Sequence, residues 1–129
     1  MMAEAHTKIR KQIAVQFLEL VVAGQIDEAY RKYVDMAGVH HNAYFAAGFP
    51  ALKKAMQDDQ NQHPDKRLDV QNVLGDGELV AVHSHLIITQ GQAEMSVVHL
   101  FRFAGDKIVE MWDVGQSIPV DSPNKDGAF

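Results

Sequence analysis

Apolar residues in the first part of the chain recur at spacings of three and four. Ile9, Ile13, Phe17, Leu20 and Val21 fall on one stripe of a helix predicted over residues 7–23, with Gly24 as its stop. Asp27 is placed to cap a second, shorter helix through Tyr33, and Pro50, tolerated in a first helical turn, opens a third through about Asp58. After the polar stretch 58–66 the period changes to two. Residues 68–74, 79–89, 93–103 and 107–118 read as strands, joined by turns at Gly75-Asp76-Gly77, Gln90-Gly91 and Gly105-Asp106. Four hairpin-linked strands make an antiparallel meander, and the preceding helices must cover one of its faces to bury their stripes. The expected class is α+β. Residues 119–129, with two prolines, form an extended tail whose terminal Phe129 can dock on something apolar.

The register of the last hairpin decides which side chains share a face, because a slip of one residue inverts every assignment. A three-residue loop Gly105-Asp106-Lys107 sets Arg102 opposite Glu110, an ion pair suited to solvent. The other face then carries Phe103 with Val109, Phe101 with Met111, and His99 opposite Asp113. A two- or four-residue loop pairs Phe103 with Ile108 and separates His99 from Asp113. The first register is preferred. An Asp on an apolar face needs a partner or a shifted pKa. His99 is that candidate partner, the bland alternative being a structural His–Asp hydrogen bond.

On the strand over 79–89, His83 and His85 share a face that hairpin pairing can bring beside His99. The opposite parity, Val80, Val82, Leu86 and Ile88, is the more apolar set and equally a candidate core face. His40-His41-Asn42 lies in the loop between helices two and three, where surface placement is the default. Trp112 is a candidate wall of the site or a packing anchor on the outer face. Four histidines and an Asp would suit zinc, nickel or iron if they converged; no metal and no cofactor is assigned.

Composition narrows the chemistry. A chain of 129 residues is about one domain, so 1–129 is read as a single unit. With seventeen acidic against twelve basic residues and a net charge of −5, it lacks the footprint of a nucleic-acid binder. No segment approaches the roughly 20 apolar residues of a membrane span, and the start lacks a signal core, so a cytoplasmic location is expected. Cysteine is absent, which removes thiolate nucleophiles and leaves His, carboxylates, hydroxyls and water.

Across Tyr33–Asn42, Val82-His83-Ser84-His85, and His99-Leu-Phe-Arg102 followed by the block from Lys107-Ile108 through Glu110, Trp112-Asp113 and Gln116 to Pro119, the chain resembles the SnoaL-like polyketide cyclases of the nuclear-transport-factor-two-like superfamily. The resemblance implies a curved antiparallel sheet wrapped around N-terminal helices, a cone-shaped, cystatin-like α+β barrel, dimerising through the outer face of its sheet. It also implies Asp113 as acid/base with His99 assisting. The strand faces themselves make that pair part of a closed pocket for a small, mostly apolar molecule, with His41, His83, His85, Phe101, Met111 and Trp112 as substrate-binding candidates. The chain departs from relatives that resemble it in the Trp-Asp block: these carry Asp where it has His99 and His where it has Met111. Aldol-type cyclisation or isomerisation next to a carbonyl is the leading expectation. The alternatives are water activation by a hydrolase or hydratase and a non-catalytic ligand-binding module.

Overall fold

Ile13, Phe17 and Val21 of the predicted stripe do form the buried face of the first helix, together with Ala14 and Leu18, whereas Ile9 stays 40% exposed. The computed structural model describes residues 2–89 and 92–129. Its elements are α1 (Met2–Val22), α2 (Ile26–Tyr33), β1 (Val34–His40), α3 (Phe49–Gln62), β2 (Arg67–Asp76), β3 (Leu79–Thr89), β4 (Ala93–Ala104) and β5 (Lys107–Ser117). No described helix is long and apolar enough to cross a membrane. α1 closes just after its last turn, where the N–H of Gly24 donates to the Val21 carbonyl and that of Gln25 to Leu20. Asp27 does not cap α2. It sits inside the first turn, 2.6 Å from Lys53 Nζ of α3, and this hydrogen-bonded ammonium holds its carboxyl below the usual range.

The sheet has five strands in the order β1-β5-β4-β3-β2, and its edges are not paired to each other, so the expected barrel is a curved, open wrap around the helices. The meander is as predicted, but β1 was missed by the sequence reading. It pairs in parallel with β5, setting Val39 beside Glu110 and His40 beside Met111. Its sequence, Val-Asp-Met-Ala-Gly-Val-His, has neither alternation nor β-branched density. Gly38 shows why: a Cβ there would lie 2.3 Å from the Val109 carbonyl oxygen and 2.8 Å from the Phe49 ring. The strand passes too close to β5 for a side chain.

The last hairpin combines the two competing registers. Its turn has two residues, with Ala104 opposite Lys107 and Phe103 opposite Ile108, and Gly105 at φ 60° supplies the first position of a type II′ turn. Val109 is then an extra residue on β5. This bulge restores the preferred pairing beyond it, Arg102 with Glu110, Phe101 with Met111 and His99 with Asp113. The predicted three-residue loop and the Phe103–Val109 pair are corrected, while the pairing of His99 with Asp113 stands. At the first hairpin the turn is Gly77-Glu78, one step later than expected; the Gln90-Gly91 turn falls outside the described residues.

Between helices and sheet an aromatic row fills the core. Phe17 meets Tyr30 edge-on at 5.4 Å and Phe101 at 5.9 Å, and Tyr30 meets Phe49 at 6.1 Å. Burying each such side chain contributes about 1.5–3 kcal/mol, and each pairing adds about 1 kcal/mol. The same row forms one wall of the site described next.

Candidate functional site

The inner face of the sheet changes character along its length. Phe101, Phe103, Ile108 and Met111 are fully buried, whereas His99 and Asp113, next in line on β4 and β5, are only half-buried, as are Met56, Leu68 and Val70. Open grooves lie elsewhere, such as one of about 380 Å³ lined by Gly24, Asp27, Gln57 and Gln60. Chemistry, not volume, singles out the inner face.

Asp113 Oδ2 accepts a hydrogen bond from Asn42 Nδ2 at 2.9 Å. The orientation of that amide follows from its other end, because Asn42 Oδ1 accepts the Tyr44 backbone N–H at 2.9 Å, which leaves the NH₂ group for Asp113. His40 supports the loop from beneath. Its Nδ1 accepts the Asn42 N–H at 3.1 Å and its Nε2 lies 2.7 Å from the Ala46 carbonyl, so the proton resides on Nε2. β1 ends at His40, whose pairing with Met111 aims its ring inward onto Phe49. The chain after β1 thus delivers Asn42 to the carboxylate.

His99 faces Asp113 across the strands without a hydrogen bond between them among the described residues. Its ring lies flat along Phe101, centroids 6.1 Å apart, and its Nδ1 is buried with no partner among the described residues. Burial drives its pKa below the ordinary histidine value against the opposing pull of the Asp113 charge, so the ring is neutral at pH 7. Tyr30, 1% exposed, donates its hydroxyl to Met56 Sδ at 3.1 Å. Burial, seconded by the Asp113 charge, pushes this phenol far above the usual tyrosine value. Ser84 completes the polar set, fully buried and with no partner for its Oγ among the described residues.

The remaining predicted site residues divide. Phe101 and Met111 lie on the inner face. His41, His83, His85 and Trp112 do not. Strand parity is the reason: Val80, Val82 and Ser84 of β3 take the core, which turns His83 and His85 outward. There His83 Nε2 lies 2.9 Å from Ser96 Oγ, and His85 Nε2 lies 2.6 Å from Glu94 Oε1. Phe129 docks above them, its ring centroid 4.4 Å from that of His85. His41 stacks on Trp112 at 5.0 Å, also outside, with Nε2 2.6 Å from Glu110 Oε2. Glu110 also accepts from Arg102 Nε at 2.8 Å, and these two hydrogen bonds, His41's the stronger influence, hold its carboxyl below the usual range. The convergence that a metal centre would need is therefore not formed, and no group of three or more ligand-type side chains capable of holding a metal occurs among the described residues.

Asn42, His40, Tyr30 and Ser84 are the site residues that sequence reasoning missed. For His40, Asn42 and Ser84 the available signal was their place within the family-like segments 33–42 and 82–85; Tyr30 carried none.

The sequence profile of the SnoaL-like domain matches residues 14–111. No curated protein matches the chain in sequence. Among solved structures, AclR of Streptomyces galilaeus, a candidate hydroxylase, is 21% identical with a TM-score of 0.74, the match covering 85% of this chain and 90% of that one. Wild-type IdmH of Streptomyces antibioticus, a candidate polyketide cyclase, is 21% identical with a TM-score of 0.66, covering 82% and 91%. A candidate ketosteroid isomerase of Kribbella flavida is 17% identical with a TM-score of 0.71, covering 97% and 89%. At these identities the structural likeness speaks to the fold alone.

Proposed function

The chain belongs to the SnoaL-like domain family, and from that premise we propose that it is an acid/base enzyme acting next to a carbonyl in a small, mostly apolar molecule. The observation that carries the reading is the setting of Asp113: a carboxylate on a hydrocarbon-walled inner face, held through Oδ2 by Asn42 and faced by a neutral His99. Asp113 Oδ1 takes a proton from the carbon next to the carbonyl, the C–H electron pair moves into the ring or chain, and charge collects on the carbonyl oxygen. His99 supplies a neutral N–H to that oxygen, and donors placed where charge develops are the larger contribution in such reactions. The enolate then either takes the proton back from Asp113 at another carbon, giving isomerisation, or attacks a second carbonyl, whose alkoxide oxygen takes that proton from Asp113, giving aldol closure. Asn42 is a positioning residue, fixing which carboxylate oxygen is presented.

The surroundings of the carboxylate support the assignment. Phe101, Val97 and Met111 give the half-buried carboxylate apolar neighbours, and a neutral His99 does not quench it by ion pairing. The isotopic test is direct. In D₂O the protein should place deuterium on the carbon next to the carbonyl of a ketone it accepts, and in ¹⁸O-labelled water no label should enter the product beyond ordinary carbonyl exchange. Net hydration of the product would overturn the reading in favour of water activation.

The outer face of the sheet, where Val39 is 46% and Val114 65% exposed beside Trp112, is the surface we assign to a second copy of the chain. Light scattering should then give twice the 14.4 kDa of the chain, and a monomer mass would remove the assignment.

A further inference from the structure

Two buried polar atoms on the inner face have no partner among the described residues: Ser84 Oγ, in a residue with no exposed surface, and His99 Nδ1. Leaving a buried hydroxyl or imidazole nitrogen unpaired forfeits its solvation without return, so two such atoms in one place call for an occupant. The pairing shows that they are in one place. Val82 lies opposite His99 and Ser84 opposite Val97, so Ser84 and His99 are diagonal neighbours on a single face, with Cβ atoms about 7 Å apart. Neither atom adjoins a water-sized space in the free protein, so a ligand oxygen reaches both as the two side chains part around it.

We propose that Ser84 and His99 form a hydroxyl-binding subsite on the inner face of the sheet, which selects substrates bearing an alcohol or phenol group on their apolar frame. A hydroxyl suits the pair better than a carbonyl does, because it accepts from Ser84 O–H and at the same time donates to Nδ1 of a neutral imidazole. The subsite also settles the tautomer. With Nδ1 accepting, the His99 proton resides on Nε2 and is available as the N–H donor of the proposed reaction; in this the inference rests on that reading.

The test compares 2-naphthol with naphthalene, which has the same frame without the hydroxyl, by fluorescence titration of the wild type and of Ser84→Ala. Neither binding event involves proton abstraction, so the result stands whether or not Asp113 proves to be the base. Ser84→Ala should weaken 2-naphthol about tenfold, the worth of one buried hydrogen bond, and leave naphthalene within about twofold. The Tm of the free variant should not fall, since the substitution removes an unpaired group. Unchanged 2-naphthol affinity would mean that the two side chains do not part around a ligand oxygen. Equal weakening of both probes, or a lowered Tm, would make Ser84 a packing residue. Failure of the wild type to bind either probe would overturn the subsite outright.

Discussion

Replacing Gly38 by alanine tests the junction that brings Asn42 to Asp113. The added methyl would lie 2.3 Å from the Val109 carbonyl oxygen and 2.8 Å from Phe49 Cε2, and neither can swing aside: one is backbone at the β5 bulge, the other a fully buried ring. Overpacking of this kind costs about 1–3 kcal/mol, and contact with backbone places it at the upper end. Against this, alanine restricts the unfolded chain, which offsets roughly 0.4–1 kcal/mol because Gly38 does not use a left-handed conformation. The net expectation is a loss of about 2 kcal/mol, or roughly 6–10 °C in Tm for a chain of this length. Gly115→Ala is the internal control. Its Cβ would come 2.9 Å from Met95 Cε, the free end of a flexible side chain, so a loss below about 0.5 kcal/mol is expected. Urea unfolding of both variants provides the measurement. If Gly38→Ala were as mild as Gly115→Ala, the tight passage of β1 over the bulge would be wrong, and with it the placement of Asn42.

Two pH-dependent predictions follow from the same geometry. The Tyr30 phenol, raised by burial, should stay protonated well beyond its ordinary value of 10.0, so the 295 nm titration should contain a late component that Tyr30→Phe abolishes. Since the folded form binds this proton more tightly, the stability it contributes is whole below about pH 10 and is lost as the pH climbs beyond; a stability flat through pH 11 would contradict the burial. Glu110, lowered by His41 and Arg102, contributes in the opposite sense: its stabilisation is present above about pH 4.5 and disappears as the pH falls, and Glu110→Gln should flatten that acid limb. An unchanged limb would show that the two hydrogen bonds do not persist in solution.

The parts of the fold that depend on neighbours in sequence were legible. Spacings of three and four marked α1, alternation marked β2 to β5, and the charges of Arg102 and Glu110 identified the pairing that sets His99 opposite Asp113. The turn itself was misread because a two-residue turn plus a one-residue bulge gives, beyond Val109, the same partners as a three-residue loop. β1 was illegible for a different reason. Its place beside β5 is a parallel pairing between residues some seventy positions apart, achieved by removing side chains, not by adding apolar ones. His83 and His85 were drawn toward the site by their resemblance to a cluster, although the apolar alternation of Val80 and Val82 already indicated which face is buried. Hydrophobic parity decided the matter, as desolvation of two imidazoles would have required partners that the core does not offer. Asn42 and Ser84 could not be found locally, since what distinguishes them is the group they meet, or fail to meet, across the fold.

The central claim is that Asp113 moves a proton. It is tested most directly by following, by NMR in D₂O, deuterium entry next to the carbonyl in a panel of cyclic and bicyclic ketones with the wild type and Asp113→Asn. The substitution keeps the shape and leaves an oxygen to accept from Asn42, so Tm should change little while the catalysed exchange falls by at least about a hundredfold, the usual contribution of a positioned base. Exchange that proceeds equally well in the folded variant would contradict the account.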